Sequence, residues 1–187
     1  MRSIRNRTRD EDGAAAVEFA LILPVLVLLV FGIIEFGMAF KSSLTVTSAT
    51  RSGARTASAL PRESNFHEAT ANAVARSVST LPDGSVEELW IYKAGTNGYP
   101  VGKTSFDAGC SSCTVWDYDD ANELFVDRGT SSWNPSSQNA CAGTGDSVGI
   151  YVKMEHNFVT GLFGADMTIT DHTVMRLEPK PAYLGCK

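Results

Sequence analysis

The sequence predicts an α+β fold: a long N-terminal helix that starts as a membrane anchor, a second helix, and a small antiparallel sheet. Three observations carry this expectation. Residues 13–40, GAAAVEFALILPVLVLLVFGIIEFGMAF, are apolar over the length of a membrane helix. Residues 41–60 keep a helical period built from small side chains. From Val86 onward the period changes to two, and helices first with strands later is the order of an α+β chain.

The anchor comes first. No residue from Phe19 to Ile34 is charged, a run of 16. A bilayer core of about 30 Å takes about 20 mostly apolar residues. Extending the helix from Ala14 to Phe40 gives 27 residues, roughly 40 Å at about 1.5 Å per residue. The extension requires Glu18 and Glu35 to sit at the two interfaces or to meet a partner. Glu35 reads as an interfacial charge reaching the headgroups. Pro24 removes a backbone donor inside the run, which membrane helices tolerate. Arg2, Arg5, Arg7 and Arg9 precede the span, so the N-terminus is expected in the cytoplasm and the chain after Phe40 outside. The expected divisions are a leader at 1–13, a transmembrane helix at 14–40 and an external domain at 41–187. A secretory signal peptide has an apolar region of about 7–15 residues. The longer run here and Glu18 at its start argue against one, and Gly37-Met38-Ala39 only approximates a cleavage site.

Beyond the span, Val46, Ala49, Gly53, Ala57 and Leu60 share one narrow helical face, with Lys41, Arg51 and Arg55 on the other side. Small residues permit close backbone approach, either to this protein's own domain or to a like helix in a filament. Leu60-Pro61 ends the helix. A second helix is expected from Phe66 to Thr80, opened by an Asn65-x-x-Glu68 capping pattern, with Phe66, Ala69, Ala73, Val74 and Leu81 on one side. Pro82-Asp83-Gly84 is a turn. Val86–Lys93 reads as a strand. Val148–Met154 alternates, with Val148, Ile150, Val152 and Met154 facing one way and Tyr151 and Lys153 the other. Met167–Leu177 also alternates, with Asp171 as the exception, and a shorter strand is expected around Thr114–Tyr118.

Residues 95–147 are rich in Gly, Ser, Asn and Asp. Loops this long are functional, stapled or mobile, and the cysteines favour stapled. Cys110, Cys113, Cys141 and Cys186 all lie on the expected outer side, where disulfides persist. Four cysteines allow three pairings, and sequence does not choose among them. Cys113–Cys141 with Cys110–Cys186 is favoured because both bridges would tie long loops to the core. Zinc is disfavoured because Cys110-x-x-Cys113 has no second close pair. A redox role is disfavoured because the motif lies in a Gly/Ser-rich loop. Trp116, Trp133 and Tyr118 read as core plugs under the loops or as partner contacts, with core expected for at least one tryptophan.

No converging catalytic site is found, and no cofactor is expected. His67, His156 and His172 lack metal-ligand spacing; His67 is expected on a helix surface and His156 just after a strand. Gly143-Thr144-Gly145-Asp146-Ser147 lacks the Lys-Ser/Thr ending of a phosphate loop. Asp117-Tyr118-Asp119-Asp120 lacks the glycine and terminal glutamate of an EF-hand loop and reads as a solvated loop. The formal net charge is −5, and the basic residues form no long external run, so nucleic acid is not an expected partner.

At Gly13-Ala14-Ala15-Ala16-Val17-Glu18-Phe19, Leu23-Pro24 and Phe31-Gly32-Ile33-Ile34-Glu35-Phe36-Gly37, the chain resembles the TadE/TadF family of pilin-like proteins from tight-adherence (Tad, or Flp) pilus systems. Ala49-Thr50-Arg51-Ser52-Gly53-Ala54-Arg55 is similar to the family's basic segment beyond the span. The resemblance covers residues 13 to about 59. It implies a pilin-like fold and cleavage by a membrane prepilin peptidase between Gly13 and Ala14. It also implies that Glu18, followed by Phe19, is the assembly contact, pairing with the freed amine of a neighbouring subunit. The expected partners are other pilin-like subunits, the peptidase, the bacterial cytoplasmic membrane and a surface ligand. The subunit would stay in the membrane or be drawn into a pilus. The other reading of Glu18 is an interfacial carboxylate favoured by the helix dipole. Two further functions stand beside the pilin reading: an uncleaved membrane-anchored binding domain, and an exported enzyme on a signal anchor.

Overall fold

The computed structural model describes residues 7–110, 112–129 and 132–181. Its first element, α1 (Arg7–Ala59), is one helix of 53 residues that runs without interruption through Pro24. The anchor and the small-faced segment are therefore one rod. Leu60-Pro61 terminates it, because a proline disfavours helical backbone in the residue before it. The turn is then fixed by Gln138, which is fully buried. Gln138 accepts the Arg62 backbone N–H on Oε1 and the Arg62 guanidinium on its carbonyl oxygen, both at 2.7 Å.

The second helix, α2 (Phe66–Val78), starts where expected and stops two residues earlier. The capping pattern does not close. Asn65 has φ −93° and ψ 13°, and its side chain caps nothing; at the first helical position the Phe66 N–H donates to the Glu63 carbonyl at 3.1 Å. Phe66, Ala73 and Val74 are buried as expected, together with Ala71, Ala75 and Val78. Ala69 stays half-exposed.

Five strands follow: β1 (Val86–Ala94), β2 (Cys113–Asp119), β3 (Leu124–Asp127), β4 (Ser147–Asn157) and β5 (Asp166–Arg176). They form one sheet in the order β3-β2-β1-β4-β5, with every neighbouring pair antiparallel. Four were anticipated and β3 was not. His156 lies within β4, in phase with Val148, Ile150, Val152 and Met154.

One face of the sheet packs on both helices. Leu89 and Ile91 of β1 and Val148, Ile150, Val152 and Met154 of β4 meet Val46, Ala49, Ala54 and Ala57 of α1 there. Trp116 and Trp133 join this core, and Trp133 meets the Phe66 ring edge-on at 5.8 Å. Tyr118 is half-buried against Phe125. Trp116 and Tyr118, both within β2, and Trp133 on its loop are thus all core plugs. Gly53 sets how close the rod comes: a Cβ there would lie 2.5 Å from Val74 of α2 and 3.3 Å from Ile150 of β4.

The opposite face is covered by the β1–β2 loop. Phe106 stacks on Tyr151 at 4.1 Å and meets Trp90, Tyr92 and Tyr99. Tyr92 lies over Gly149, where any Cβ would enter its ring, and its hydroxyl donates to the Gly98 carbonyl at 2.8 Å. The disulfide beside this loop joins Cys110 to Cys113. That overturns the expected Cys113–Cys141 and Cys110–Cys186 pairing. The bridge is local: it fastens the end of the loop to the first residue of β2 instead of tying two distant loops. Cys141 is also disulfide-bonded, and Cys186 lies outside the described residues.

His67 is half-buried rather than free on the helix surface. Its Nε2 lies 2.9 Å from the Trp133 carbonyl oxygen and its Nδ1 3.3 Å from the Thr114 hydroxyl. Burial holds its imidazole below the usual value, partly offset by the carbonyl acceptor at Trp133 and the charge of Asp127. The folded state therefore binds this proton less readily than the unfolded chain, whose imidazole titrates near about 6.5. Stability should fall as pH drops below that value, because the unfolded state then takes up more protons. Thermal melts from pH 7.5 to 5 should show this fall, and a smaller one in His67→Asn. Equal slopes in the two proteins would remove His67 as the cause.

Candidate assembly site on the long helix

The residues that the resemblance led us to expect in processing and assembly lie on the uncovered part of α1. Gly13, Ala14, Glu18 and Phe19 are exposed. No residue from Gly13 to Ile34 is buried, and only Gly32 is half-covered. The core helix of a soluble domain would be mostly buried, whereas this apolar stretch is left almost bare. Glu18 receives no hydrogen bond or ion pair among the described residues. Its carboxylate is available to something outside this chain.

Glu35 behaves differently, and the expectation of a headgroup-facing charge is corrected. Its side chain is fully buried. Oε2 accepts the Val159 backbone N–H at 3.0 Å and Oε1 accepts the Thr160 N–H at 2.5 Å. Both donors lie in the turn between β4 and β5. Phe36 flanks this contact, with the Phe163 ring at 5.2 Å and the Phe158 ring at 6.3 Å.

Glu35 is the first of four polar rungs between α1 and the β4–β5 hairpin. Ser42 lies 3.4 Å from His156 Nδ1. The Thr50 hydroxyl lies 3.2 Å from Asp171 and 3.0 Å from the Thr173 hydroxyl, which explains why Asp171 breaks the alternation of β5. Ser58 donates to the Arg176 carbonyl at 2.6 Å and accepts the Glu178 N–H on its own carbonyl at 2.9 Å. Rungs two turns apart keep one side of the rod on the sheet.

Segment 49–55 is two-sided. Ala49, Thr50, Gly53 and Ala54 are buried against the domain, and Arg51 and Arg55 are exposed on the far side. Among the described residues neither arginine forms an ion pair. They border a shallow groove with Leu44, Ser48 and Ser52. The face that packs inward is thus fully used by this chain's own domain, and the basic face is the one offered outward.

The acidic run expected as a solvated loop lies largely in a strand, since Asp117, Tyr118 and Asp119 end β2, and its carboxylates have structural partners. Asp117 is bonded by Arg128, which holds its carboxyl below the usual range. Asp119 accepts the Ala121 N–H and the Asn122 amide, and Asp120 accepts the Gly84 N–H at 2.9 Å. His172 stacks on Tyr99. Among the described residues no group of three or more His, Cys, Asp or Glu side chains is placed to hold a metal.

The class defined by these features is an α+β domain carried on one candidate membrane anchor among the described residues, with that helix continuing into the domain. Residues 13–55 match the family model described as TadE-like protein, so this segment of the chain is similar to that family. The match spans the bare anchor, Glu18, Glu35 and the two-sided segment. No curated protein and no solved structure matches the chain.

Proposed function

We propose that this chain is a non-catalytic, pilin-like subunit of a Tad/Flp pilus assembly or secretion apparatus. In this reading α1 is its single span, with the N-terminus cytoplasmic and the domain external. A prepilin peptidase cuts between Gly13 and Ala14, and Glu18 then pairs with the new amine of an adjacent subunit. The observation that carries the proposal is the division of α1. Its inner face is consumed by its own domain, while among the described residues Glu18, the apolar surface around it, Arg51 and Arg55 have no partner. A carboxylate costs about 2.5–3.5 kcal/mol at the centre of a membrane helix on insertion scales and less toward its end, where Glu18 stands, and ionisable groups in such helices usually have partners. The cation opposite it is supplied by cleavage.

The deciding experiment is N-terminal mass spectrometry of the protein made in a host with a Tad system. The mature chain is expected to begin at Ala14, and Gly13→Leu is expected to leave the precursor uncut. A mature N-terminus near Phe40 would mark a signal peptide and overturn the reading. An uncut wild-type chain would support the anchored binding domain instead.

A further inference from the structure

We propose that the turn joining β4 to β5 is a second membrane contact: its apolar tip inserts among lipid acyl chains beside the anchor. The proposal rests on α1 being the membrane span.

Three observations carry it. The first is composition. Residues 158–165, FVTGLFGA, contain no charge, and Val159, Leu162 and Phe163 are 77, 54 and 43 % exposed. Large apolar side chains gathered on one tip are unusual on a surface meant for water.

The second is depth. Counting about 20 residues outward from Glu18 brings the end of the span near Gly37. Phe163 already touches α1 at Gly32, where a Cβ would lie 3.3 Å from its ring. That is five residues further in, about 7 Å along the axis. Apolar groups that lie in the interface reach about 5–10 Å into it. The tip is also continuous with the bare anchor: Phe163 closes one side of a wholly apolar groove floored by Val25, Leu29, Gly32 and Phe36. Such a groove suits a hydrocarbon chain.

The third is the accounting of polar groups. Backbone at that depth must satisfy its donors within the protein. Four of the eight N–H groups of residues 158–165 find acceptors among the described residues: Val159 and Thr160 on Glu35, Phe158 on the Ala165 carbonyl at 3.0 Å and Leu162 on the Thr160 hydroxyl at 3.4 Å; the other four are left to the headgroup level, which sets how deep the tip can go. Glu35 and the tip solve each other's problem. The carboxylate gains donors inside the span, and the turn gains an acceptor where water is scarce.

The test places the photoreactive residue benzoylphenylalanine in the full-length protein, in phosphatidylethanolamine/phosphatidylglycerol vesicles at low protein density. The positions are 162 on the tip, 26 in the anchor and 126 on the far edge strand, where Val126 is also half-exposed. Lipid adducts found by mass spectrometry at 26 and 162, at least tenfold above those at 126, are the expected result. Adducts at 26 without adducts at 162 would overturn the tip contact and leave the anchor intact. Absence at both would overturn the anchor and the tip together. Crosslinking of 162 to a second copy of the chain, with no lipid adduct, would overturn the proposal in favour of a protein interface. A probe at 159 repeats the measurement if the 162 variant does not fold.

Discussion

Gly53→Leu is expected to separate the rod from its domain. A Cβ at this position already lies 2.5 Å from Val74 and 3.3 Å from Ile150, and leucine adds three further carbons. Both neighbours are fully buried and neither is the free end of a flexible chain. The clash must be relieved by moving α1 off α2 and β4, which breaks the core that the small face builds. Overpacking costs about 1–3 kcal/mol and sometimes more; the upper figure applies where two elements are displaced at once. For a domain of this size that is a fall in Tm of roughly 10 °C. Gly37→Leu is the control, since a Cβ there meets nothing within 4 Å. Calorimetry of both variants decides: an unchanged Tm for Gly53→Leu would mean that the close approach is not tight.

Glu18→Ala is expected to leave the protein inserted and cleaved yet absent from complexes with pilin-like partners. Were the carboxylate only interfacial, removing it would be neutral or would favour insertion. If it faces the amine of an adjacent Ala14, its loss strands a buried cation. Breaking one side of a buried ion pair costs about 3–5 kcal/mol, more than the insertion gain and enough to lower association by a factor of roughly 100 to 5,000. Co-purification with partner subunits, read beside a membrane-fraction blot, separates the cases. Wild-type recovery of partners and normal piliation in the variant would show that Glu18 is not the contact.

Much of the architecture was legible in the chain, because it is written in short-range periodicity. The spacing of Val46, Ala49, Gly53 and Ala57 gave one face, and that face is the buried one. The alternation of Val148, Ile150, Val152 and Met154 assigned β4 and its orientation. What escaped the reading depends on residues far apart. Glu35 meets amides 124 and 125 positions later, and a carboxylate near the end of a span carries the same local signature whether it meets headgroups or a turn. β3 is only four residues long, at the sheet edge, with Phe125 as its one buried side chain; four residues hold too little alternation to stand out. The cysteine pairing failed for a different reason: the argument favoured long closures, while Cys110 and Cys113 are joined across two residues. Asn65 matched a capping pattern, but its own backbone lies outside the extended region that a cap requires.

The four rungs between α1 and the β4–β5 hairpin also have a mechanical meaning. Glu35, Ser42, Thr50 and Ser58 are spread over 23 residues of one helix, ~35 Å of its length. A pull along the helix axis loads such contacts in shear, all at once, instead of peeling them one after another. Traction on the anchor would reach the sheet as a distributed force along β4 and β5. Anchor and domain would then travel as one rigid piece, with the turn at Val159 carried along wherever the helix is drawn.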